Sequence, residues 1–513
     1  MGKFFITTAI DYVNSVPHVG TSYEKILADV MARWRRLRGD EVFFLMGNDE
    51  HSQNVAAEAA RQGLDPKEYC DRMEEKFRRT WARLHVSFDR FIRTTEPAHH
   101  RSCQELFRRI RARGDLRRDL YRGLYCVGCE ARKTDSELQD GRCPNHPATP
   151  LLRLEEENYF FLLSRYAEPL RQRLRTPGFV RPSFRANEML SLIEQGLEDL
   201  SISRRSTTWG IPIPDDPDQV MYVWFDALIN YITGAGFPDD PDRFSRLWPA
   251  DVHVVGKDIT RFHSVVWPAM LLSAGLEPPR QVAVHGFVYV RQGQERFKMS
   301  KSLGTAIDPG DVADRFGADA LRHYLLREVA FGQDGDFTWD QFILRYNSDL
   351  ANDLGNLLNR IVTMTERYLG GVFETPGDPV PGDEALRQKV FDLADRVASL
   401  LDGWEFHAAL AEIFGTVRAV NAYVETAAPW TLHRQGHRGE VAGVLRRAAE
   451  ALRAVAVLLS PFLPGTSHRI LEQLGLPDLP LRFQVAKEPE CIKMGTRVRR
   501  ADVLFPRIDA EPS

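Results

Sequence analysis

The chain has no surplus of positive charge, few cysteines, no apolar run of membrane-spanning length and no repeated or low-complexity tract. Each absence excludes something. A formal net charge of −4 over 513 residues rules out a general polycationic coat for nucleic acid. It leaves open a local basic face of the kind a structured-RNA binder needs. The arginine-rich run from Arg108 to Arg113 lies on a helical pattern and reads as a solvated face. No stretch reaches the roughly 20 apolar residues of a membrane-spanning helix. Met-Gly-Lys leads straight into a strand pattern rather than a secretory leader. Cys70, Cys103, Cys126, Cys129, Cys143 and Cys491 are too unevenly spread for a disulfide framework. A cytoplasmic protein kept reduced is the expectation.

The length allows two to four domains, each with its own core. Phe4-Phe5-Ile6 is a short apolar run, and from Thr21 to Arg38 apolar residues recur at helical spacing, with Gly39 as the stop. Val42–Met46, ending at Gly47, suits a buried parallel strand. Strand, helix and strand in this order open an α/β sheet whose ligand crevice lies at the carboxyl ends of the strands. Asp49, just past the second strand, therefore faces the same crevice as Pro17-His18-Val19-Gly20-Thr21, just before the helix. A helix N-terminus offers free N–H groups and partial positive charge to an anion. Gly20 leaves room for a ligand at the backbone and His18 adds a donor. Alone, the stretch is equally a turn with a surface histidine, and Asp49 is equally a helix cap.

Residues 66–113 read as helical with a break at Phe88–Thr94, after which the pattern changes. Cys126-x-x-Cys129 is followed by Cys143-x-x-His146, with Gly128, Gly141 and Pro144 as turn formers. Two hairpin corners that each deliver two soft ligands make a tetrahedral zinc site. With four protein ligands and no open position it is structural. Strand patterns return at Val220–Trp224, His253–Gly256 and Val282–Val284. Phe297-Lys298-Met299-Ser300-Lys301-Ser302 follows as a cationic loop suited to phosphates. Beyond about residue 340 long helical patterns run through 346–369, 383–402, 405–427 and 438–460, and 481–513 reads as irregular. The resulting division is 1–113, first half of the sheet domain; 114–204, an insertion with the metal site; 205–295, second half; 296–345, the cationic loop and a connecting region; 346–480, a helical bundle; and 481–513, a tail.

Pro-His-Val-Gly after the first strand and Lys-Met-Ser-Lys-Ser after the last are the two signatures of class I aminoacyl-tRNA synthetases. The whole chain resembles the bacterial methionyl-tRNA synthetases in their single-zinc-knuckle form. It does so through Thr-Thr-Ala-Ile at 7–10, Asn-Asp-Glu-His at 48–51, Tyr-Val-Trp-Phe-Asp-Ala at 222–227 and Gly-Lys-Asp-Ile at 256–259. The resemblance implies a Rossmann-like parallel sheet with a zinc-binding insertion, then an all-α bundle. It implies methionine activation by ATP with Mg2+, then transfer to the terminal adenosine of methionine tRNAs, elongator and initiator. His18, Gly20, Thr21, Lys298 and Lys301 would hold ATP, with His18 and the two lysines as the catalytic groups. Asp49 would hold the methionine ammonium, and Ile10, Trp224, Tyr231, Ile259 and His263, with Phe262 and Val223 beside them, the side chain. Asn356, Arg360 and Trp430 would read the anticodon. The insertion is too short for the separate editing domain of the isoleucine and valine enzymes. The chain ends after the bundle, which favours a monomer.

Three positions depart from the family pattern. Thr21 stands where a second histidine is usual, Ser52 where glycine is usual, and Asp11 where tyrosine or proline is common. Thr21-x-x-Glu24 also spells a capping box, which would let Thr21 cap the helix and still give a donor near ATP. The rival readings are an enzyme that passes the amino acid to another acceptor, and a degenerate synthetase kept as an RNA-binding module. Intact His18, Asp49, Lys298 and Lys301 speak against the second.

Overall fold

The computed structural model describes residues 2–128, 131–133, 135, 138–144, 149–292, 295–299 and 305–509. Its centre is a parallel sheet built on β1 (Lys3–Thr8), in which Phe5 and Ile6 are fully buried. β1 lies between β3 (Glu41–Asp49) on one side and the strand Val252–Gly256 on the other, and Val282–His285 follows. Beyond β3 the sheet continues with the short β2 (Asp11–Tyr12) and with β4 (Arg90–Arg93). β4 is the break expected between two helices. Its four residues alternate too briefly to read as a strand, and pairing with β3 makes them one.

That pairing also explains Gly47, which does not end β3 as expected. β3 runs through it to Asp49, and a Cβ on Gly47 would lie 2.0 Å from the Ile92 carbonyl oxygen of β4. The expected insertion 114–204 does not stay apart from the sheet. Its Val180–Arg181 pairs in parallel with Val282–His285 and forms the edge strand. The strand expected through Trp224 stops at Met221, and Trp224 sits in the first turn of the helix Val223–Leu228.

The helix after β1, α1, runs over Val19–Leu37 and lies almost wholly inside the molecule, with Glu24, Lys25 and Asp29 among its buried residues. Gly39 beyond it takes the left-handed backbone, φ +91°, that favours glycine. The bundle matches its sequence pattern closely: Asn356–Leu369, Asp383–Asp402, Phe406–Ala427 and Arg438–Leu459 are helices. The described part of the tail, 481–509, packs on the rest of the molecule. Its Leu504 and Phe505 are buried, and Arg453 of the bundle donates to the carbonyls of Val485 and Glu488.

α1 belongs to both halves. Asp29 pairs with the fully buried Arg322 at 2.7 Å, and Arg322 also donates to the carbonyls of Pro461 and Phe462 in the bundle. Farther along α1, Trp34 meets Phe483 edge to face and Arg38 pairs with Asp402. Among the described residues no helix is long and apolar enough to cross a membrane.

Candidate active site

The first turn of α1 begins two residues earlier than its apolar pattern suggests, so the cap is His18. Its Nδ1 accepts from the Thr21 N–H at 3.2 Å, while the Thr21 hydroxyl accepts from the His18 N–H at 3.0 Å and donates to the His18 carbonyl at 2.8 Å. This is a reciprocal capping box in which Thr21 is the third helical residue rather than the cap. The expected Thr21–Glu24 box is therefore incorrect. Glu24 turns inward, and the Thr21 hydroxyl is committed to the box. Gly20 donates its N–H to Met299 Sδ at 3.2 Å, so the second signature touches the first across 279 positions of chain. The hairpin Val288–Gln292 and Glu295–Lys298 carries Met299 there and is antiparallel, with Tyr289 opposite Lys298. The Lys298 side chain and the whole of Lys301 lie outside the described residues.

Asp49 is the last residue of β3, buried, and in register with Tyr12 of β2. The Tyr12 ring stands edge-on to Trp224, which stacks flat on Phe262 at 4.0 Å and 6°. Tyr12 was not singled out in the sequence; only its place beside the departing Asp11 marks it. Phe262 opens a π-helical turn, Phe262–Val266, that also carries His263. Ile10 and Ile259 are half-buried against the same core, and Val223 is buried.

Two histidines here have fixed tautomers. His263 Nδ1 lies 3.0 Å from the Ile259 carbonyl, so it carries the proton and Nε2 accepts from the Tyr231 hydroxyl at 2.7 Å. His253 accepts from the indole N–H of Trp267 at Nε2, so its Nδ1–H donates to Thr7. Burial holds His263 neutral, with its pKa lowered to about 4, and His253 well below the usual range. Tyr231 stacks on His253 at 4.1 Å, and burial raises its phenol well above 10, so it remains a donor.

A buried carboxylate joins the two segments that carry these residues. Asp226 bonds His51 Nδ1 at 2.7 Å and His99 Nε2 at 2.6 Å, and tethers the Asp49–His51 turn to the segment bearing Trp224 and Tyr231. Burial alone would raise Asp226, but the two histidines hold it well below the carboxylate range. Ser52 caps α2 (Gln53–Arg61) by accepting from the Val55 N–H. The departure from glycine thus starts a helix, and Asp49 is not the cap.

A family model described as tRNA synthetases class I (M) matches residues 4–149 and 135–362. A second, described as the anticodon binding domain of methionyl tRNA ligase, matches 375–513. The methionine--tRNA ligase of Caldanaerobacter subterraneus subsp. tengcongensis is 45% identical over 99% of this chain and 79% of its own length. That of Thermotoga maritima is 42% identical over 99% and 81%.

The chain belongs to the methionyl-tRNA synthetases.

It is an aminoacyl-tRNA ligase for methionine, of class I. The Mycobacterium tuberculosis methionyl-tRNA synthetase in complex with methionyl-adenylate superimposes with a TM-score of 0.93 at 41% identity, over 99% of this chain and 100% of that one. The free form of the same enzyme gives 0.85 at 39%, over 99% of each. The chain is thus nearer in shape to the adenylate-bound form of that enzyme.

In this synthetase Cys126 and Cys143, two of the four expected zinc ligands, are completely buried. Cys126 ends the strand Leu116–Cys126 at a hairpin corner, opposite Ala131. Cys143 follows a second corner, where Gln139 pairs with Arg142 across Asp140 and Gly141, both with positive φ. Two buried thiols at two corners fit the expected donor set; Cys129 and His146 lie outside the described residues. Asn54 of α2 donates to the Val127 carbonyl and ties the first corner to the sheet domain.

In the bundle the Arg360 guanidinium lies 5.7 Å from the Trp430 ring centre and pairs with Glu425 at 2.9 Å. Trp430 is half-buried in the first turn of Pro429–Arg434. Asn356, exposed, begins the helix that carries Arg360 one turn on, after a ten-residue π-helical stretch.

Proposed function

We propose that the synthetase uses the residues described above in two steps. The methionine carboxylate attacks the α-phosphorus of ATP, and the bond to the pyrophosphate oxygen breaks. A ribose hydroxyl of the terminal tRNA adenosine, the 2′ one, then attacks the methionyl carbonyl and AMP leaves. No covalent enzyme intermediate is required, so the protein orients reactants and stabilises charge. His18 and Gly20 receive the phosphates at the positive end of α1. Because the Val19, Gly20 and Thr21 N–H groups already bond Ile307, Met299 and His18, they do so through the helix dipole, the His18 ring and the room left at Gly20. Lys298 and Lys301 close over the leaving pyrophosphate, and Mg2+ accompanies ATP as substrate. Thr21 acts by shaping the turn, because its hydroxyl is spent on His18. Asp49 takes the ammonium, and Ile10, Trp224, Tyr231, Ile259 and His263 receive the side chain. An aromatic-rich slot suits the polarisable thioether.

Zinc at Cys126, Cys129, Cys143 and His146 would fix the knuckle without entering the reaction. Asn356, Arg360 and Trp430 read the anticodon of elongator and initiator methionine tRNAs, by base-edge hydrogen bonds and stacking. The enzyme works as a cytoplasmic monomer, with the domain division given above and Val180–Arg181 lent to the sheet. The observation that supports the reading is the Gly20–Met299 contact, which brings a residue of the second signature against the first turn of α1. ATP–pyrophosphate exchange across the twenty amino acids tests it. Exchange with methionine alone is expected, and none with methionine would overturn it. Exchange without tRNA charging would favour a different acceptor.

A further inference from the structure

Lys25 is a buried cation inside α1, with its side chain 1% exposed. Its ammonium has three N–H donors, and three acceptors face it: the Ala9 carbonyl at 2.8 Å, Glu24 Oε1 at 2.7 Å and Asp11 Oδ1 at 3.1 Å. Two of these flank Ile10. Lys25 therefore grips the chain on both sides of one residue of the methionine slot. The next residue is Tyr12, whose ring meets Trp224 and whose register partner is Asp49. One ammonium on the signature helix thus holds the segment 9–12 that forms a wall of the slot.

The charges around Lys25 are shared unequally. Glu24 has a second partner, His285, whose Nε2 is 3.1 Å from its Oε2. Among the described residues Asp11 has Lys25 and no second cation, and its Oδ2 is buried without a hydrogen bond. Its register partner Asn48 has a buried amide that is equally unpaired among the described residues. Burial accordingly pushes Asp11 up to about 6, whereas Lys25 and His285 overcome burial and bring Glu24 to about 2. If Lys25 loses its charge, Glu24 keeps a partner and Asp11 does not. A buried carboxylate left alone is costly and drives its own segment to rearrange.

We propose that Lys25, acting through Asp11 and the Ala9 carbonyl, is a positioning residue that sets the Ile10–Tyr12 wall and thereby the affinity for methionine. The proposal rests on the methionine slot described above, and it gives a role to the aspartate that departs from the family pattern.

The test is methionine-dependent ATP–pyrophosphate exchange on enzyme quantified by active-site titration, with KM for methionine and for ATP measured separately. Lys25→Met is expected to raise the methionine KM at least about tenfold and to leave the ATP KM within about twofold, the signature of lost ground-state binding at one substrate. Asp11→Ala leaves Lys25 paired with Glu24 and so preserves the fold. It is expected to raise the methionine KM about fivefold. Lys25→Met with Asp11→Ala should lie closer to wild type than Lys25→Met alone, because no lone carboxylate remains. A methionine KM unchanged in Asp11→Ala, or an equal rise in both KM values in Lys25→Met, would overturn the proposal. Absence of methionine-dependent exchange in the wild type would instead overturn the slot itself.

Discussion

Around the proposed methionine site Tyr231, His253 and His263 are buried, and hydrogen bonds fix the tautomer of each histidine. At the bundle's Asn356, Arg360 and Trp430 the arrangement is the reverse. Asn356 is exposed, Trp430 half-buried, and Arg360 is held by Glu425, itself 67% exposed. The first group is held rigid by its own hydrogen bonds, which suits the proposed ligand, an apolar thioether that offers few hydrogen bonds. Such a pocket discriminates by fit, worth about 1–3 kcal/mol per methylene. The second, proposed to read the anticodon, keeps polar groups and an indole partly exposed, and screening by water makes the Arg360–Glu425 pair easy to exchange. One site is bought with rigidity, the other keeps its partners loose.

Substitutions should separate the two regions. Asp49→Ala is expected to lower kcat/KM for methionine in pyrophosphate exchange by about a thousandfold, since it removes the partner of a buried ammonium, and to leave tRNA affinity unchanged. A comparable loss of tRNA binding would show that the regions are not independent. Trp430→Ala should leave methionine-dependent exchange intact while aminoacylation kcat/KM for tRNA falls about 10- to 100-fold, the range of one lost stacking contact. Tyr231→Phe removes the donor to His263 and should raise the methionine KM about fivefold to tenfold, with no effect on the tRNA KM.

The smallest effect is on stability against pH. His253 and His263 are neutral when folded but take up protons near 6.5 when unfolded. Their contribution is complete above pH 6.5. It declines as the pH falls toward 4, because there the unfolded chain binds more protons than the folded one. Asp11, raised to about 6, acts in the opposite sense between pH 4 and 6 and offsets part of the loss. Thermal unfolding followed from pH 7 to 4 should show a falling midpoint, and His263→Asn should flatten the slope. A midpoint that rises over this interval would contradict the burial of these rings as neutral groups.

The strongly periodic parts of this fold were legible in the sequence. The bundle helices and the buried strands at β1, β3 and Val252–Gly256 announce themselves by apolar spacing, and both signatures by their residue types. What was hidden depended on pairing between distant segments. β4 is four residues long and exists because β3 accepts it; Val180–Arg181 is two residues long and needs Val282–His285. The start of α1 was misplaced because the helical pattern begins at Thr21, while the His18 cap is made by a side chain with no place in that pattern. Nothing in the sequence pairs Lys25 with Asp11 or Asp226 with His51 and His99; only the third dimension brings these groups together. The slot residues Ile10, Trp224, Tyr231, Ile259 and His263 came from family resemblance, since apolar residues alone are indistinguishable from core. Tyr12 escaped for the same reason.

α1, whose first turn is the proposed ATP site, is pinned at its midpoint by Asp29 and Arg322 and near its end by Trp34 and Arg38, each against residues fixed in or docked on the helical bundle. A boundary drawn on the sequence near residue 345 is therefore no seam. Chain ended there would strip the Pro461 and Phe462 carbonyls from Arg322 and bare the indole of Trp34, inside the very element that builds the nucleotide site. The two modules can be told apart by what they recognise, but they cannot be inherited, swapped or trimmed apart without re-engineering α1 itself.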